Sequence, residues 1–259
     1  MKAHQFPYFD SPFAALAHRG GAHLPANAGL ENTLQAFRNA VDLGYGYVET
    51  DVHVTRDGHL VAFHDDTLDR VTDRTGRLAE LTLAEVREAR IGDQPVPTLA
   101  EVLESFPEVR VNIDIKAPGA EAPLVSELRR HGAEHRVCVG SFSELRLNRF
   151  RLLSQGRVAT SCAPAGVMAG VLAARLGRGI APRGAAFQVP MRSKVAGRMV
   201  EVITPEFIQQ AHDWGKHVHV WTIDDEDTMN QLIDWDVDGI VTDRPDVLKT
   251  VLLDRGMWY

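Results

Sequence analysis

The chain has 259 residues, of which 44% are hydrophobic and 24% are charged, and its formal net charge is −7. These proportions are typical of a folded globular protein with a sizeable core. The acidic balance argues against a nucleic-acid-binding protein, which normally carries a basic surface. We recognise no signal peptide and no apolar run long enough to span a membrane, so we expect a cytoplasmic protein. The two cysteines, Cys138 and Cys162, are expected to be reduced, buried thiols.

Short apolar runs alternate with longer segments of helical periodicity along the chain. This alternation predicts an α/β protein with a parallel sheet and crossover helices, and eight strands suit a closed (β/α)8 barrel, the TIM barrel. We expect one domain spanning residues 1–259. The predicted strands are 13–17, 46–52, 109–115, 136–140, 157–160, 185–189, 217–222 and 238–242. The predicted helices lie near 31–43, 119–131, 143–153, 164–176, 204–214, 225–235 and 245–253.

An irregularity follows the second predicted strand. The Asp57-Gly58 pair predicts a tight turn and a hairpin between residues 46–54 and 59–63. Residues 65–97 are then mostly polar, with a short capped helix predicted at 82–86. The sequence therefore predicts a small insertion in the barrel.

Polar side chains stand where three apolar runs stop. His18 and Arg19 follow the first strand, Glu49 and Asp51 end the second, and His64 follows the hairpin strand. An arginine suits phosphate recognition, carboxylates hold hard cations, and histidines transfer protons near neutral pH. The combination predicts a metal-assisted site for a phosphate ester.

Further carboxylates reinforce the prediction of a metal site. Glu49 and Asp51 are two residues apart on a strand, so their side chains share a face, and Asp114 and Lys116 have the same relation on the next strand. Buried carboxylates are unfavourable without a cation, and an all-oxygen set favours Mg²⁺ or Ca²⁺ over zinc. The alternative is that these residues form structural salt bridges inside the barrel.

The order and spacing of these motifs resemble the glycerophosphodiester phosphodiesterase family from about residue 14 to about residue 250. The matching segments are 18–20, 31–33, 49–52, 57–58, 64–65, 68–72, 113–116, 221–222 and 238–245. The resemblance implies a barrel in which residues 65–97 form a small cap. It also implies cleavage of glycerophosphodiesters to sn-glycerol 3-phosphate and an alcohol, with a divalent cation that is Mg²⁺ or Ca²⁺, or alternatively Mn²⁺.

Carried onto this sequence, the resemblance also implies roles for individual residues. The catalytic pair would be His18 and His64, which we assign as base and acid respectively. The other predicted site residues are Arg19, Lys116 and Trp221 for substrate, with Trp221 either lining the site or packing in the core, and Glu49, Asp51 and Asp114 for metal. The family commonly has Glu where this chain has Asp114, and the shorter side chain leaves both the position of the cation and its identity open.

Two other functions are consistent with the same motifs. The first is phospholipase D-type cleavage of lysophospholipids, for which loop 190–203 would supply the apolar contact. The second is a non-catalytic scaffold that binds phosphodiesters, against which the presence of both histidines argues. The sequence does not indicate the oligomeric state.

The remaining histidines lack the context of the predicted site. His219 lies on a predicted strand and either faces the barrel mouth or packs inside. The others that we expect at the surface are His4, His23, His53, His59, His131, His135 and His212.

Overall fold

The structure is a computed structural model that describes residues 1–195 and 197–258. Its strands are β1 (Ala14–His18), β2 (Tyr47–Val54), β3 (Leu60–Ala62), β4 (Arg90–Ile91), β5 (Gln94–Pro95), β6 (Arg110–Ile115), β7 (Val137–Gly140), β8 (Ala159–Thr160), β9 (Ala186–Val189), β10 (Arg192–Val195), β11 (Arg198–Glu201), β12 (His217–Val220) and β13 (Gly239–Thr242). Its α-helices are α1 (Leu34–Asp42), α2 (Leu83–Val86), α3 (Leu99–Ser105), α4 (Glu121–Arg130), α5 (Glu144–Leu153), α6 (Pro164–Leu176), α7 (Pro205–Asp213), α8 (Glu226–Asp234) and α9 (Pro245–Asp254). Short 3₁₀ helices occupy Ala3–Gln5, Pro7–Phe9, Pro25–Asn27, Leu78–Glu80 and Glu134–Arg136.

Within the described residues, eight parallel strands form the predicted barrel. Their order is β8-β7-β6-β2-β1-β13-β12-β9, and a parallel bridge between Ser161 and Ala186 joins its two ends. Each lies within or overlaps a predicted strand, because buried parallel strands are nearly continuous apolar runs. The prediction of a (β/α)8 fold is confirmed.

Several helices between these strands begin at side-chain caps. Thr33, Ser143 and Thr204 each accept a hydrogen bond from a backbone N–H in the first turn of α1, α5 and α7. The start of α9 differs, because the Arg244 side chain makes no capping hydrogen bond and Pro245 alone favours the first turn. No helix in the described part of the chain is long and apolar enough to traverse a bilayer.

The amino-terminal segment closes the bottom of the barrel. Tyr8 and Phe9 are buried in a cluster with Leu16 and Val241, and the Tyr47 hydroxyl donates a 2.8 Å hydrogen bond to the Tyr8 carbonyl. The polar residues at the carboxyl ends of the strands therefore lie at the opposite, open end.

The insertion after the second barrel strand has the predicted form. β3 pairs antiparallel with β2, and α2 starts at a capping box formed by Thr82 and Glu85. Apolar side chains of the insertion form their own small cluster with those of β3, including Phe63, Leu78 and Val86.

The prediction that residues 190–203 form a loop is wrong. Most of this segment is an antiparallel hairpin of β10 and β11, in which Val195 pairs with Arg198. Gly197 lies in the turn with a φ of 82°, which a glycine adopts without steric cost. Ala196 lies outside the described residues.

Candidate active site

A cavity of about 660 Å³ opens at the carboxyl ends of the barrel strands. Its wall contains all eight predicted site residues, which are His18, Arg19, Glu49, Asp51, His64, Asp114, Lys116 and Trp221. They come from β1, β2, β6 and the segments that follow β1, β3, β6 and β12. The structure therefore brings the predicted residues together, while their chemical roles remain predictions.

His18 is held between two carboxylates. Its Nδ1 lies 2.8 Å from Asp243 Oδ1, and its Nε2 lies 3.8 Å from Glu49 Oε2. Burial alone would lower the pKa of His18, but Glu49 and the hydrogen bond to Asp243 outweigh it and raise that pKa. Asp243 was not among the predicted site residues. The available signal was its position directly after β13, the strand that pairs with β1.

His64 is oriented from two sides. Its Nδ1 lies 2.6 Å from Asp65 Oδ1, and its backbone carbonyl lies 2.9 Å from His53 Nε2. Burial opposes ionisation of Asp65, yet hydrogen bonds from Arg70 and His64 lower its pKa to about 2. The expectation that His53 lies at the surface is wrong, since β2 is buried along nearly its whole length and carries His53 inside.

A chain of ion pairs connects the surroundings of His64 to Arg19. Arg70 lies 2.5 Å from Asp65 Oδ2 and also forms two hydrogen bonds to Glu31, at 2.7 and 2.9 Å. Glu31 in turn accepts a 3.1 Å hydrogen bond from Arg19 Nη1. The insertion thus reaches the site through Arg70.

The Arg19 backbone is shaped by the two glycines that follow it. Arg19 itself has a φ of 51°, and Gly20 and Gly21 have φ values of 87° and 85°. A Cβ on Gly20 would lie 2.8 Å from Ala36, and one on Gly21 would lie 2.5 Å from Pro245. These glycines therefore allow the loop to pack tightly against α1 and α9, which fixes where Arg19 enters the cavity.

Lys116 bridges two of the predicted metal ligands. Asp51 and Asp114 are register partners on β2 and β6, and Lys116 Nζ lies 2.9 Å from Asp51 Oδ1 and 2.8 Å from Asp114 Oδ2. Burial opposes the charge on each group, but Lys116 and then Arg19 lower the pKa of Asp51. The two carboxylates raise the pKa of Lys116 to about 12. The salt bridges considered as an alternative are therefore present.

Two of the predicted metal ligands, Glu49 and Asp114, have features that a bound cation would compensate. Glu49 is 6% exposed, and its burial together with the charge of Asp51 raises its pKa to about 7. Asp114 Oδ1 is buried without a hydrogen-bond partner among the described residues. An unsatisfied oxygen and a buried carboxylate with a raised pKa fit a divalent cation.

A second group of possible ligands lies beside His18. Possible ligand atoms of His23, Asp224 and Asp243 lie within 4.8 Å of one another. Among residues 1–195 and 197–258, no other three His, Cys, Asp or Glu side chains are grouped this closely. His23 lies at the surface, as the sequence indicated. Asp243 is shared with His18, so this group adjoins the catalytic candidate.

Part of the cavity wall is apolar. It contains Val167 and Met168 of α6 together with Phe142 and Trp221, whose rings pack edge to face with centroids 5.8 Å apart. Trp221 also packs against the buried cluster that contains Leu16, so it both lines the site and contributes to the core. The cavity wall therefore combines charged side chains with this apolar group, and Lys116 Nζ lies 5.7 Å from the centre of the Phe142 ring.

His219 does not face the mouth. It is fully buried, its Nδ1 lies 3.4 Å from Gln188 Nε2, and burial followed by the neighbouring His217 lowers its pKa to about 3. It packs inside the barrel as a neutral side chain.

Comparison with known proteins gives consistent matches. A model of the glycerophosphoryl diester phosphodiesterase family matches residues 18–247. A probable glycerophosphodiester phosphodiesterase 2 of Mycobacterium tuberculosis is 41% identical over 254 residues, which cover 94% of this chain and 92% of that protein. The lysophospholipase D of Homo sapiens is 27% identical over 92% of this chain and 85% of its own length.

Solved structures share the fold. A putative glycerophosphoryl diester phosphodiesterase from Silicibacter pomeroyi superposes with a TM-score of 0.79 at 23% identity, covering 98% of this chain and 99% of that one. A phosphodiesterase from Oleispira antarctica, solved in complex with the product sn-glycerol-3-phosphate, gives a TM-score of 0.75 at 22% identity, covering 95% of this chain and 98% of that one.

Proposed function

Because this chain belongs to the glycerophosphoryl diester phosphodiesterase family, we propose that it hydrolyses glycerophosphodiesters to sn-glycerol 3-phosphate and an alcohol. The observation that carries the proposal is the convergence of two carboxylate-held histidines, an arginine and a lysine on one cavity. Such a set supplies both the proton transfers and the positive charge that cleavage of a phosphate ester requires.

The phosphate would bind between Arg19 and Lys116. Both cations line the cavity and are held in place by Glu31, Asp51 and Asp114. Charge that develops on the phosphoryl oxygens during the reaction would be stabilised by these preorganised groups, which need little reorganisation.

A divalent cation would be held by Glu49, Asp51 and Asp114, and we propose Mg²⁺ or Ca²⁺, with Mn²⁺ as the alternative. When bound, it would neutralise a phosphate oxygen and favour ionisation of the attacking hydroxyl. The support is the buried, partnerless oxygen of Asp114 and the raised pKa of Glu49.

The two histidines would transfer the protons. His18 removes a proton from the attacking oxygen as its bond to phosphorus forms, and His64 protonates the alcohol oxygen as its bond to phosphorus breaks. Asp243 and Asp65 engage the Nδ1 atoms, which leaves each Nε2 for the substrate. Attack by the glycerol 2-hydroxyl gives a transient cyclic phosphate, whereas attack by water gives none, and ³¹P NMR during turnover distinguishes the two.

Turnover on a substrate panel tests the function and the metal together. The panel is glycerophosphocholine, glycerophosphoethanolamine, glycerophosphoglycerol and lysophosphatidylcholine, assayed after chelation and again with Mg²⁺, Ca²⁺ or Mn²⁺ added. We expect release of sn-glycerol 3-phosphate that stops in chelator and returns with a cation. Full activity in excess chelator would contradict the metal assignment, and no turnover of any diester under any condition would contradict the function.

Alanine variants test the histidines. General acid–base catalysis contributes about 10²–10⁴-fold, so His18→Ala and His64→Ala should each lower kcat by at least about a hundredfold. A p-nitrophenyl phosphodiester has a leaving group that needs no proton, so it should restore turnover to His64→Ala and not to His18→Ala. The reverse pattern would exchange the roles, and near-normal rates of both variants on natural diesters would remove the histidines from the mechanism.

A second candidate function is phospholipase D-type cleavage of lysophospholipids. The apolar part of the cavity wall favours it, because Val167, Met168, Phe142 and Trp221 could accept an alkyl chain. Hydrolysis of lysophosphatidylcholine to choline at a rate above that of glycerophosphocholine would assign this activity, and the reverse preference would reject it.

We retain the proposal of a cytoplasmic location. It is supported by Cys138 and Cys162, which are both free and buried, as expected where thiols stay reduced. Localisation of a tagged full-length chain in its source cells tests the proposal.

A further inference from the structure

The charges of this chain are distributed very unevenly. Of its 28 Lys and Arg residues, ten lie between residues 145 and 200, whereas none of its 35 Asp and Glu residues does. A protein with a net charge of −7 thus contains a continuous stretch of 56 residues that is purely basic. Such a concentration creates a local positive field that opposes the field of the rest of the molecule.

The fold gathers this stretch into one sector of the barrel. It forms the connections after β7, β8 and β9, and these strands are neighbours because β7 pairs with β8 and a bridge at Ser161 and Ala186 joins β8 to β9. We call this region, residues 141–201, the basic sector. It includes α5, α6 and the hairpin of β10 and β11.

Most of these cations have no acidic neighbour. Among the described residues, only Arg151 and Arg192 of the ten have a carboxylate within 4.0 Å, and those carboxylates belong to Glu144 and Glu201 at the ends of the sector. Cations elsewhere in the chain commonly form ion pairs, as in the insertion, where Arg74 pairs with Glu88. The charge of the basic sector is therefore available to an external anionic partner.

Exposed apolar side chains accompany the cations of the hairpin and those of the segment after β7. Phe142 is 63% exposed, Leu145 is 78% exposed and Met199 is 65% exposed. Met199 lies directly opposite Lys194 in the hairpin, so the two side chains share a face, and both Lys194 and Phe142 line the cavity. Exposed apolar side chains interleaved with cations fit the interface of an anionic bilayer.

We propose that the basic sector docks the protein on an anionic lipid membrane, with the hairpin of β10 and β11 at the point of contact. The hairpin cations Lys194 and Arg198 would lie against the lipid phosphates, while Met199, Leu145 and Phe142 enter the boundary between head groups and acyl chains. Docked in this way, the cavity mouth would face the membrane, and a diester lipid would enter without crossing open water.

The contribution of each cation sets the size of the expected effect. A Lys or Arg near an anionic membrane increases binding by about fivefold. The double variant Arg198→Glu/Met199→Ser reverses one charge and removes one apolar contact at the hairpin, so it should weaken vesicle binding by at least about tenfold. Both residues are exposed, and we expect no change in the unfolding temperature.

Vesicle co-sedimentation of the full chain tests the proposal. We expect binding to vesicles of equal parts phosphatidylglycerol and phosphatidylcholine at low salt, loss of binding at high salt, and no binding to pure phosphatidylcholine. The matched control Arg74→Glu makes the same change of charge in the insertion and should bind like wild type. Binding is measured without turnover, so its outcome is independent of whether the chain hydrolyses glycerophosphodiesters.

Three results would overturn the proposal. The first is an absence of binding to anionic vesicles, and the second is equal loss of binding in the hairpin variant and in Arg74→Glu. The third is binding of the protein to a single-stranded RNA under conditions in which it does not bind anionic vesicles. That result would identify the basic sector as a nucleic-acid-binding surface.

Discussion

The two histidines of the site are held by carboxylates of very different origin. His64 is held by the adjacent residue Asp65, whereas the carboxylate on His18 comes from Asp243, which is 225 residues away in the chain. In both cases a carboxylate at Nδ1 fixes the orientation of the ring. For His18, Asp243 acts with Glu49 to raise the pKa of the ring.

Replacing Asp243 tests this positioning role. Asp243→Asn keeps the shape of the side chain but removes a charge-assisted hydrogen bond worth about 1.5–3 kcal/mol, so kcat should fall by about 10- to 100-fold. Because Asp243 helps to raise the pKa of His18, the variant should lower that pKa. The limb of the kcat/KM profile that reports His18 should therefore move to lower pH.

The control for this prediction is Asp246→Asn. Asp246 is a nearby carboxylate that pairs with Arg244 and does not line the cavity. It should leave the pH profile unchanged. An Asp243→Asn enzyme with a wild-type profile would show that Asp243 is not coupled to His18.

At the scale of elements, the insertion takes part in the candidate site through Arg70. Its Arg70 simultaneously contacts Asp65, which holds His64, and Glu31, which holds Arg19. A movement of the insertion would thus be transmitted both to His64 and to Arg19, for which we propose proton transfer and phosphate binding.

We expect Arg70→Ala to impair catalysis more than stability. Arg70 is 48% exposed, and surface ion pairs contribute little to stability, typically about 0–1 kcal/mol. Loss of alignment of both His64 and Arg19 should lower kcat/KM by at least about tenfold, since small misplacements of catalytic groups are costly. Steady-state kinetics and thermal unfolding measure the two effects.

Arg77→Ala is the matched control for the insertion. Arg77 also belongs to the insertion and pairs with Asp66, but neither residue lines the cavity. It should retain wild-type kcat/KM. Similar losses in both variants would indicate that Arg70 acts only through the folding of the insertion.

At the scale of the whole molecule, the buried carboxylate of Glu49 in the candidate site should lower the free energy of unfolding. Glu49 has a pKa of about 7, well above its ordinary value of 4.5, because it is buried and adjoins Asp51. When folding raises the pKa of a group, the group stabilises the folded state at pH values below its pKa in the unfolded chain. This contribution is lost as the pH rises through the pKa that the group has in the folded protein. At pH 8 without a cation, the ionised Glu49 should therefore cost up to about 3 kcal/mol.

Glu49→Gln should thus inactivate the enzyme and stabilise it. In chelator at pH 8 its unfolding temperature should exceed that of wild type by about 5–10 °C, and the difference should shrink toward pH 5. Added Mg²⁺ or Ca²⁺ should raise the unfolding temperature of wild type more than that of the variant. An unfolding temperature at or below the wild-type value at pH 8 would contradict this account. Glu108→Gln makes the same change at an exposed carboxylate and should have no effect.

The sequence by itself determined the elements and most of the site. Apolar runs with helical segments between them predicted the eight barrel strands, because parallel strands are buried on both faces. The spacing of Glu49 and Asp51 placed both side chains on one face, because side chains alternate along a strand, and both line the cavity. Order along the chain, with the family resemblance, was enough to assemble the eight cavity residues.

Only the tertiary structure decided which of these groups hold one another. Asp243 meets His18 because β13 pairs with β1, and Arg70 meets Glu31 because the insertion folds back toward the segment after β1. The segment after β9 became a hairpin, although its mixed composition suggested a loop. Local periodicity predicted the type of the barrel strands and helices, because this pattern depends only on neighbours in sequence. Partners that are distant in sequence depend on strand register and barrel closure, which no local pattern encodes.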